Sequence, residues 1–209
     1  MAWRAAELSG SMRTQPNQKG CVEVIAKSVK YLEGEHVYLR YLEPEDADDF
    51  FTSDPEVRRL TGTQRPFARR QIAAYIERIT EDPTRVQFGI FLQETDQLIG
   101  DIAIMEMDNP NNRCGSFRIA IDTRWTGQGY GTEATKLMLD YGFGMLNLHR
   151  IQLDVYTINE RAIHVYEKLG FQREGVMREA WRFDHGYYDI IIMAILEDDY
   201  RALRQQARP

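Results

Sequence analysis

Cysteine is scarce: Cys21 and Cys114 are the two in 209 residues, and their spacing is not that of metal ligands. A disulfide framework is therefore not expected, and a reducing cytoplasm is the default compartment. Long apolar runs are also missing. The longest, such as Ile190–Leu196 (IIIMAIL), falls far short of the ~20 residues a spanning helix needs. The first residues carry no apolar stretch of the secretory type. No internal repeat or low-complexity tract appears. Positive charge is in deficit as well, with 26 Lys and Arg against 32 Asp and Glu, a net −6. That balance counts against nucleic acid as the main partner and favours cationic substrates. Metal, membrane and nucleic acid are thus not expected partners.

What remains is an ordinary globular composition, 43% hydrophobic and 28% charged, in a chain long enough for one domain with a tail. Residues 1–32 lack sustained periodicity and read as a flexible leader, with one folded domain over 33–205. Val37, Leu39 and Tyr41 alternate with polar neighbours, as in a strand. The stretch from Glu43, rich in Asp and Glu, reads as a helix start, where the dipole favours negative charge. Asp54-Pro55 repeats that signal, and Pro66–Thr80 reads as a helix carrying Ile72, Tyr75, Ile76 and Ile79 on one face. Three strands follow, over 86–92, 98–107 and 114–121, separated by polar turns and read as an antiparallel meander. Ala134, Leu137, Met138, Tyr141, Gly142 and Met145 then mark a helix at a period of 3.6. A strand over 149–157 leads to a short helix with Asn159 as its N-cap and Gly170 as its left-handed stop. Two last strands meet at an Asp184-His185-Gly186 turn, and a terminal helix closes the chain. The class is α/β in the α+β sense, a mixed and mostly antiparallel sheet of about seven strands flanked by helices. Only the segment of strand, glycine loop, helix and strand needs a parallel crossover.

That glycine loop, Arg124-x-x-Gly127-x-Gly129-x-Gly131, sits between a strand and a helix starting near Thr132. Amides at such a junction have no intrahelical acceptor and face the positive end of the dipole. Missing side chains let a diphosphate approach the backbone, so the loop reads as a phosphate cradle. It is not a P-loop, because Thr132 and Glu133 stand where Lys and Ser or Thr would. Nor is it a dinucleotide fingerprint, whose spacing is G-x-G-x-x-G. A tight turn with no ligand satisfies the spacing equally.

One strand later comes Asn159–Phe171 (NERAIHVYEKLGF), an N-x-x-A-x-x-x-Y-x-K-x-G-F pattern. With the Arg-x-x-Gly-x-Gly loop before it, the chain resembles the GNAT superfamily of N-acetyltransferases. The opening LEGEHVYLRYLEPEDADDFF and the closing EGVMREAWRFDHGYYDIIIMAIL are similar to the branch that holds ribosomal-protein N-terminal and spermidine acetyltransferases. The resemblance implies a GNAT domain over 33–205, a sheet splayed between its fourth and fifth strands, and acetyl-CoA as co-substrate without a metal. It places the diphosphate on the amides of Gln128, Gly129, Gly131 and Thr132 beyond Gly127, and the pantetheine arm along the strand holding Ile119 and Ile121. Arg124 would steady the phosphates, with Arg161 or Lys168 near the outer one, and Asn159 would bond the cofactor as well as cap its helix.

By the same resemblance Tyr166 protonates the departing thiolate. Its place on an apolar face with Ala162, Val165 and Leu169 also suits a core aromatic. The acceptor that the resemblance implies is a primary amine attacking directly in a ternary complex, with a small polyamine-like molecule, a peptide N-terminus and an aminoglycoside all open. Where relatives hold a glutamate this chain has Ser116, so Glu106 on the neighbouring strand is the candidate base and an exposed strand-end carboxylate is the plainer alternative. Glu43–Asp49, Glu106–Asp108, Trp181, Tyr187 and Tyr188 are candidates for a cation-accepting groove. A homo-oligomer is compatible with all of this. A non-catalytic acyl-CoA sensor or an interaction module on the same fold is the rival reading.

Overall fold

The computed structural model describes residues 13–16, 22–25, 29–50, 54–63, 65–109 and 111–206. Most of the stretch read as a leader, 1–12, 17–21 and 26–28, lies outside the described residues, as does Cys21. Within it β1 (Arg13–Pro16) and β2 (Val22–Ile25) pair antiparallel.

An eight-stranded sheet carries the rest. In spatial order it runs β3 (Leu32–Glu33), β4 (Val37–Arg40), β5 (Val86–Leu92), β6 (Leu98–Met105), β7 (Cys114–Ile121), β8 (Arg150–Tyr156), β10 (Gly186–Leu196) and β9 (Gln172–Phe183). The count exceeds the expected seven because β3 is a two-residue edge, Leu32 and Glu33 opposite Leu39 and Tyr38, too short to alternate visibly. The neighbours are antiparallel except β7 with β8. The helices are α1 (Pro55–Thr61), α2 (Arg69–Glu81), α3 (Tyr130–Gly144), α4 (Glu160–Lys168) and α5 (Glu197–Gln206). Pro44–Asp48, expected to open a helix, forms only a 3-10 turn, with Asp46 held by Arg40 at 2.8 Å.

Two apolar layers cover the sheet. One joins Leu39, Phe88, Ile90, Ile102, Ile104 and Phe117 to Ala134, Met138 and Leu139 of α3 and to Ile163 and Tyr166 of α4. The other packs Tyr38, Phe91 and Leu98 against Ile72, Ile76 and Ile79 of α2. Adjacent strand residues thus serve opposite layers, which is why β5 and β6 read as nearly unbroken apolar runs. Burial on α3 is wider than the expected stripe, because Leu139 and Phe143 are also buried. Met145, assigned to that stripe, is 60% exposed at the helix C-cap. The strand expected over 98–107 ends at Met105, where Glu106 turns the chain with a φ of +60°. The β9–β10 hairpin turns at Asp184 and His185, both at positive φ, the conformation that matches the twist of two strands.

The parallel pair determines the site. β7 and β8 are joined through Cys114–Arg150, Gly115–Ile151 and Ser116–Gln152, and there the ladder stops. From Phe117 to Ile121, β7 stays paired with β6 but has no strand on its other side. The sheet opens at that point.

Candidate active site

At the end of β7, Asp122 caps a 3-10 turn over Thr123–Trp125, accepting from the Arg124 amide at 2.9 Å. The Arg124 guanidinium folds back onto the same carboxylate, with Nη2 at 2.6 Å, and holds that carboxyl below the usual range. Gly127 and Gly129 follow at φ +79° and +89°, the left-handed region that side chains avoid, with open space where a Cβ would stand. Gly129 is the N-cap of α3, and the first intrahelical bond is Glu133 N–H to the Gly129 carbonyl at 3.0 Å. The amides of Tyr130, Gly131 and Thr132 therefore lack helical acceptors and sit at the positive end of a 15-residue helix. A bare turn with free amides suits an anion.

The turn opens onto a cleft of about 320 Å³ in the gap of the sheet. Ile119 and Ile121 form its β7 wall; Gly127, Gly129, Gly131 and Thr132 form its end; Asn159, Arg161 and Tyr166 come from α4 and the residue that caps it. Asn159 Oδ1 accepts from the Ala162 amide at 3.2 Å, so its capping role is present. Tyr166 is 8% exposed and stands edge-on to Phe117, ring centroids 6.1 Å apart. Its hydroxyl has no protein partner among the described residues. Burial pushes that phenol up to about 12, while the Arg118 charge pulls the other way.

Other expected residues stand outside the cleft lining. Arg124 is committed to Asp122, its side chain 70% exposed. Gln128 is exposed, and its Nε2 bonds the Arg124 carbonyl at 3.4 Å. Glu106 lines a separate hollow with Asp82, Thr84, Arg85, Met105 and Asp108. Trp181 is buried against Tyr156, rings stacked at 4.0 Å, and also meets Tyr188. The structure in turn supplies a wall that sequence reasoning missed: Val57, Leu60 and Thr61 of α1, with Thr123, Trp125 and Thr126. Asp54 places it. Its carboxylate caps α1, accepting from Glu56 at 2.8 Å and Val57 at 3.3 Å, and also accepts from the Thr123 hydroxyl. Burial acts against that charge, but these bonds outweigh it and keep the carboxyl low. The Asp-Pro start was visible in sequence; its reach to Thr123 was not.

Residues 36–172 match the family described as Acetyltransferase (GNAT) domain. The chain belongs to the GNAT acetyltransferase family. It is 32% identical over 178 residues to the probable N-acetyltransferase YjcK of Bacillus subtilis (strain 168), spanning 80% of this chain and 98% of that one. It is 37% identical over 113 residues to a spermidine N(1)-acetyltransferase of Escherichia coli (strain K12), spanning 54% of this chain and 60% of the relative. Among solved structures, the spermidine N-acetyltransferase of Vibrio cholerae in complex with CoA and spermine superposes with a TM-score of 0.73 at 27% identity. That match covers 79% of this acetyltransferase and 98% of the other chain. The protein is thus an acetyl-CoA-dependent acyltransferase. Among the described residues no cluster of His, Cys, Asp or Glu is arranged to hold a metal, and no helix is long and apolar enough to cross a membrane.

Proposed function

We propose that this acetyltransferase moves the acetyl group of acetyl-CoA directly onto a neutral primary amine of a polyamine-like molecule. The observation that carries the reading is the joining of the bare Gly127–Thr132 turn and the Tyr166 phenol in one cleft, at opposite ends of an unpaired strand edge. The turn fits the CoA diphosphate, because its free amides and open left-handed glycines leave room for an anion at the backbone. The unpaired edge of Phe117–Ile121 fits the pantetheine amides, and Arg161 at the cleft supplies positive charge. Bound there, acetyl-CoA presents its thioester in the gap.

Direct transfer is supported by the chemistry of the lining. It contains no Cys, Ser or His, so nothing resembles a nucleophile activated by a base. Cys114 lies at the start of β7, its thiol donating to the Asn112 carbonyl at 3.0 Å. No carboxylate lines the cleft either, with Glu106 in its own hollow, which supports entry of the amine in its neutral form. Tyr166 serves the departing thiolate as donor. The polyamine class rests on the net −6 charge and on the spermidine acetyltransferases among the relatives.

The test is an acetylation screen over spermidine, spermine, peptides with free N-termini and aminoglycosides, read as amine-dependent thiol release. Polyamine turnover above the other classes is expected. Binding of CoA without turnover on any amine would instead make the protein an acyl-CoA sensor. No shift in melting temperature at ~100 Kd of CoA, where roughly 2.7 kcal/mol should appear, would leave only an interaction module.

A further inference from the structure

Asp154 stands exposed in the middle of β8 and has no donor or cation as partner among the described residues. The strand alternates around it. Ile151, Leu153 and Val155 belong to the layer shared with α3 and α4, so Gln152, Asp154 and Tyr156 face the other side of the sheet. Two cations on that same side are already paired, Arg150 with Glu174 at 2.5 Å and Arg118 with Asp101 at 2.6 Å. The ground around Asp154 is apolar. Ile192 lies directly opposite it on β10, Ile190 lies opposite Tyr156, and the exposed Met177 of β9 lies beyond Ile190. The helices on this side pack farther along the sheet, α2 on β4–β6 and α1 on β7, and Ile190 and Ile192 stay half-buried.

This strip adjoins the cleft. Ala120 packs on Val57 on the α1 side of β7, while Ile119 and Ile121 pack on the α3 and α4 side, and all three line the cleft. The cleft therefore passes around the free edge of β7 from one face of the sheet to the other. On the α1 side its wall ends at Thr61, and the next residue, Gly62, is the C-cap of α1. A Cβ on Gly62 would stand 2.2 Å from the Tyr156 hydroxyl, so the end of α1 rests on Tyr156. Asp154 lies outside the cleft lining, one strand repeat or ~7 Å along β8 from Tyr156. It is on the stretch beyond Gln152, where β8 has already parted from β7.

We propose that Asp154 anchors a second, charged nitrogen of the acceptor while the nitrogen to be acetylated enters the cleft beside α1. The assignment rests on the polyamine reading above and names the residue that selects that class. A carboxylate islanded in an apolar strip matches a molecule whose charges are separated by methylenes. The methylenes lie along Ile190 and Ile192, and the ammonium meets the carboxylate. The two nitrogens have opposite needs. The reacting one must be neutral, and no carboxylate lines the cleft to hold it as an ammonium. The distal one stays protonated, and an exposed carboxylate binds it without the cost of burying an ion pair. A monoamine, lacking the second charge, gains nothing from that contact.

Asp154→Asn and Asp154→Glu test this beside the wild type. CoA-loaded protein is titrated calorimetrically with spermidine and with an alkyl monoamine of similar length. With CoA in place of acetyl-CoA no transfer occurs, so affinity is read by itself. Asp154→Asn should weaken spermidine about 3- to 10-fold, between the effect of an exposed ion pair and that of a charged hydrogen bond. Monoamine affinity and the CoA-induced melting shift should be unchanged. Asp154→Glu should retain most of the wild-type affinity, and added salt should weaken spermidine more in the wild type than in D154N. Equal spermidine affinity in the wild type and D154N would overturn the assignment. So would an equal loss for both amines, or no binding of spermidine to the wild type. Binding with the expected dependence on Asp154, but no acetylation once acetyl-CoA is supplied, fails the transfer reading alone.

Discussion

Replacing Tyr166 with Phe removes one oxygen from the cleft and leaves its packing on Phe117 and Phe171 in place. The consequence depends on what that oxygen does. Burial lifts the phenol to about 12, above the ~8.5 at which a thiol ordinarily ionises, so complete proton transfer to the thiolate runs uphill. A hydrogen bond to the thiolate needs no such transfer, and bonds to charged groups contribute ~1.5–3 kcal/mol. Tyr166→Phe should therefore lower kcat by roughly 10- to 150-fold. CoA affinity should be nearly unchanged, since the hydroxyl has no protein partner among the described residues whose loss would disturb the cleft. The assay is single-turnover thiol release at saturating amine, with CoA affinity measured calorimetrically on the same samples. Unchanged kcat would refute the role outright, and parallel loss of affinity and kcat would make Tyr166 a binding residue. A loss beyond ~10³-fold would refute the hydrogen-bond argument in favour of full general-acid transfer. The raised phenol also sets a stability signature. Its contribution is present below the unfolded value of 10.0 and is lost as pH climbs toward about 12, so the wild type should weaken relative to the Phe variant between those values.

Gly131 is in α3 at an ordinary φ, and a Cβ there would meet Ile121 Cγ1 at 3.6 Å, so Gly131→Ala should raise stability by ~0.5–1 kcal/mol while weakening acetyl-CoA binding. Gly129→Ala, at φ +89°, should instead cost about 1–2 kcal/mol as well as binding; a thermal melt with and without CoA separates the two. Asp54→Ala removes the α1 cap and the partner of Thr123, and should lower Tm by roughly 2–4 °C for ~1 kcal/mol while raising KM for acetyl-CoA. With no carboxylate in the cleft, kcat/KM for the amine should rise about tenfold per pH unit toward the amine's own pKa near ~10. A plateau reached near pH 7 would show a base that this account lacks.

What the sequence made legible was the short-range part of the site. Asn159 caps α4 through an amide three residues on, and Gly127 and Gly129 leave the backbone bare, at the left-handed φ values that glycine allows. The parallel pair followed from a strand, loop, helix and strand order that leaves a crossover as its natural closure, whereas its splay was implied only by the resemblance to the GNAT superfamily. Arg124 shows what the loop spacing leaves out even at short range. A cation beside a phosphate turn reads as a phosphate ligand, and the structure adds that its guanidinium also donates to Asp122 two residues back.

The rest depends on contacts that sequence distance conceals. Asp54 joins Thr123 across 69 residues and thereby makes α1 a cleft wall, and nothing in the Asp-Pro signal specifies that partner. Arg118 and Asp101 meet only because the β6–β7 register pairs Ala103 with Arg118 and Asp101 with Ala120, placing the two charged residues diagonally on one face. A slip of one residue would send Arg118 to the face covered by α3 and α4 and leave Asp101 buried without a cation. Register is fixed by the whole apolar pattern of β5, β6 and β7, so this ion pair is a consequence of the fold and not of any motif. The glycine turn can be found by eye; the Arg118–Asp101 pair had to wait for the strands to be aligned.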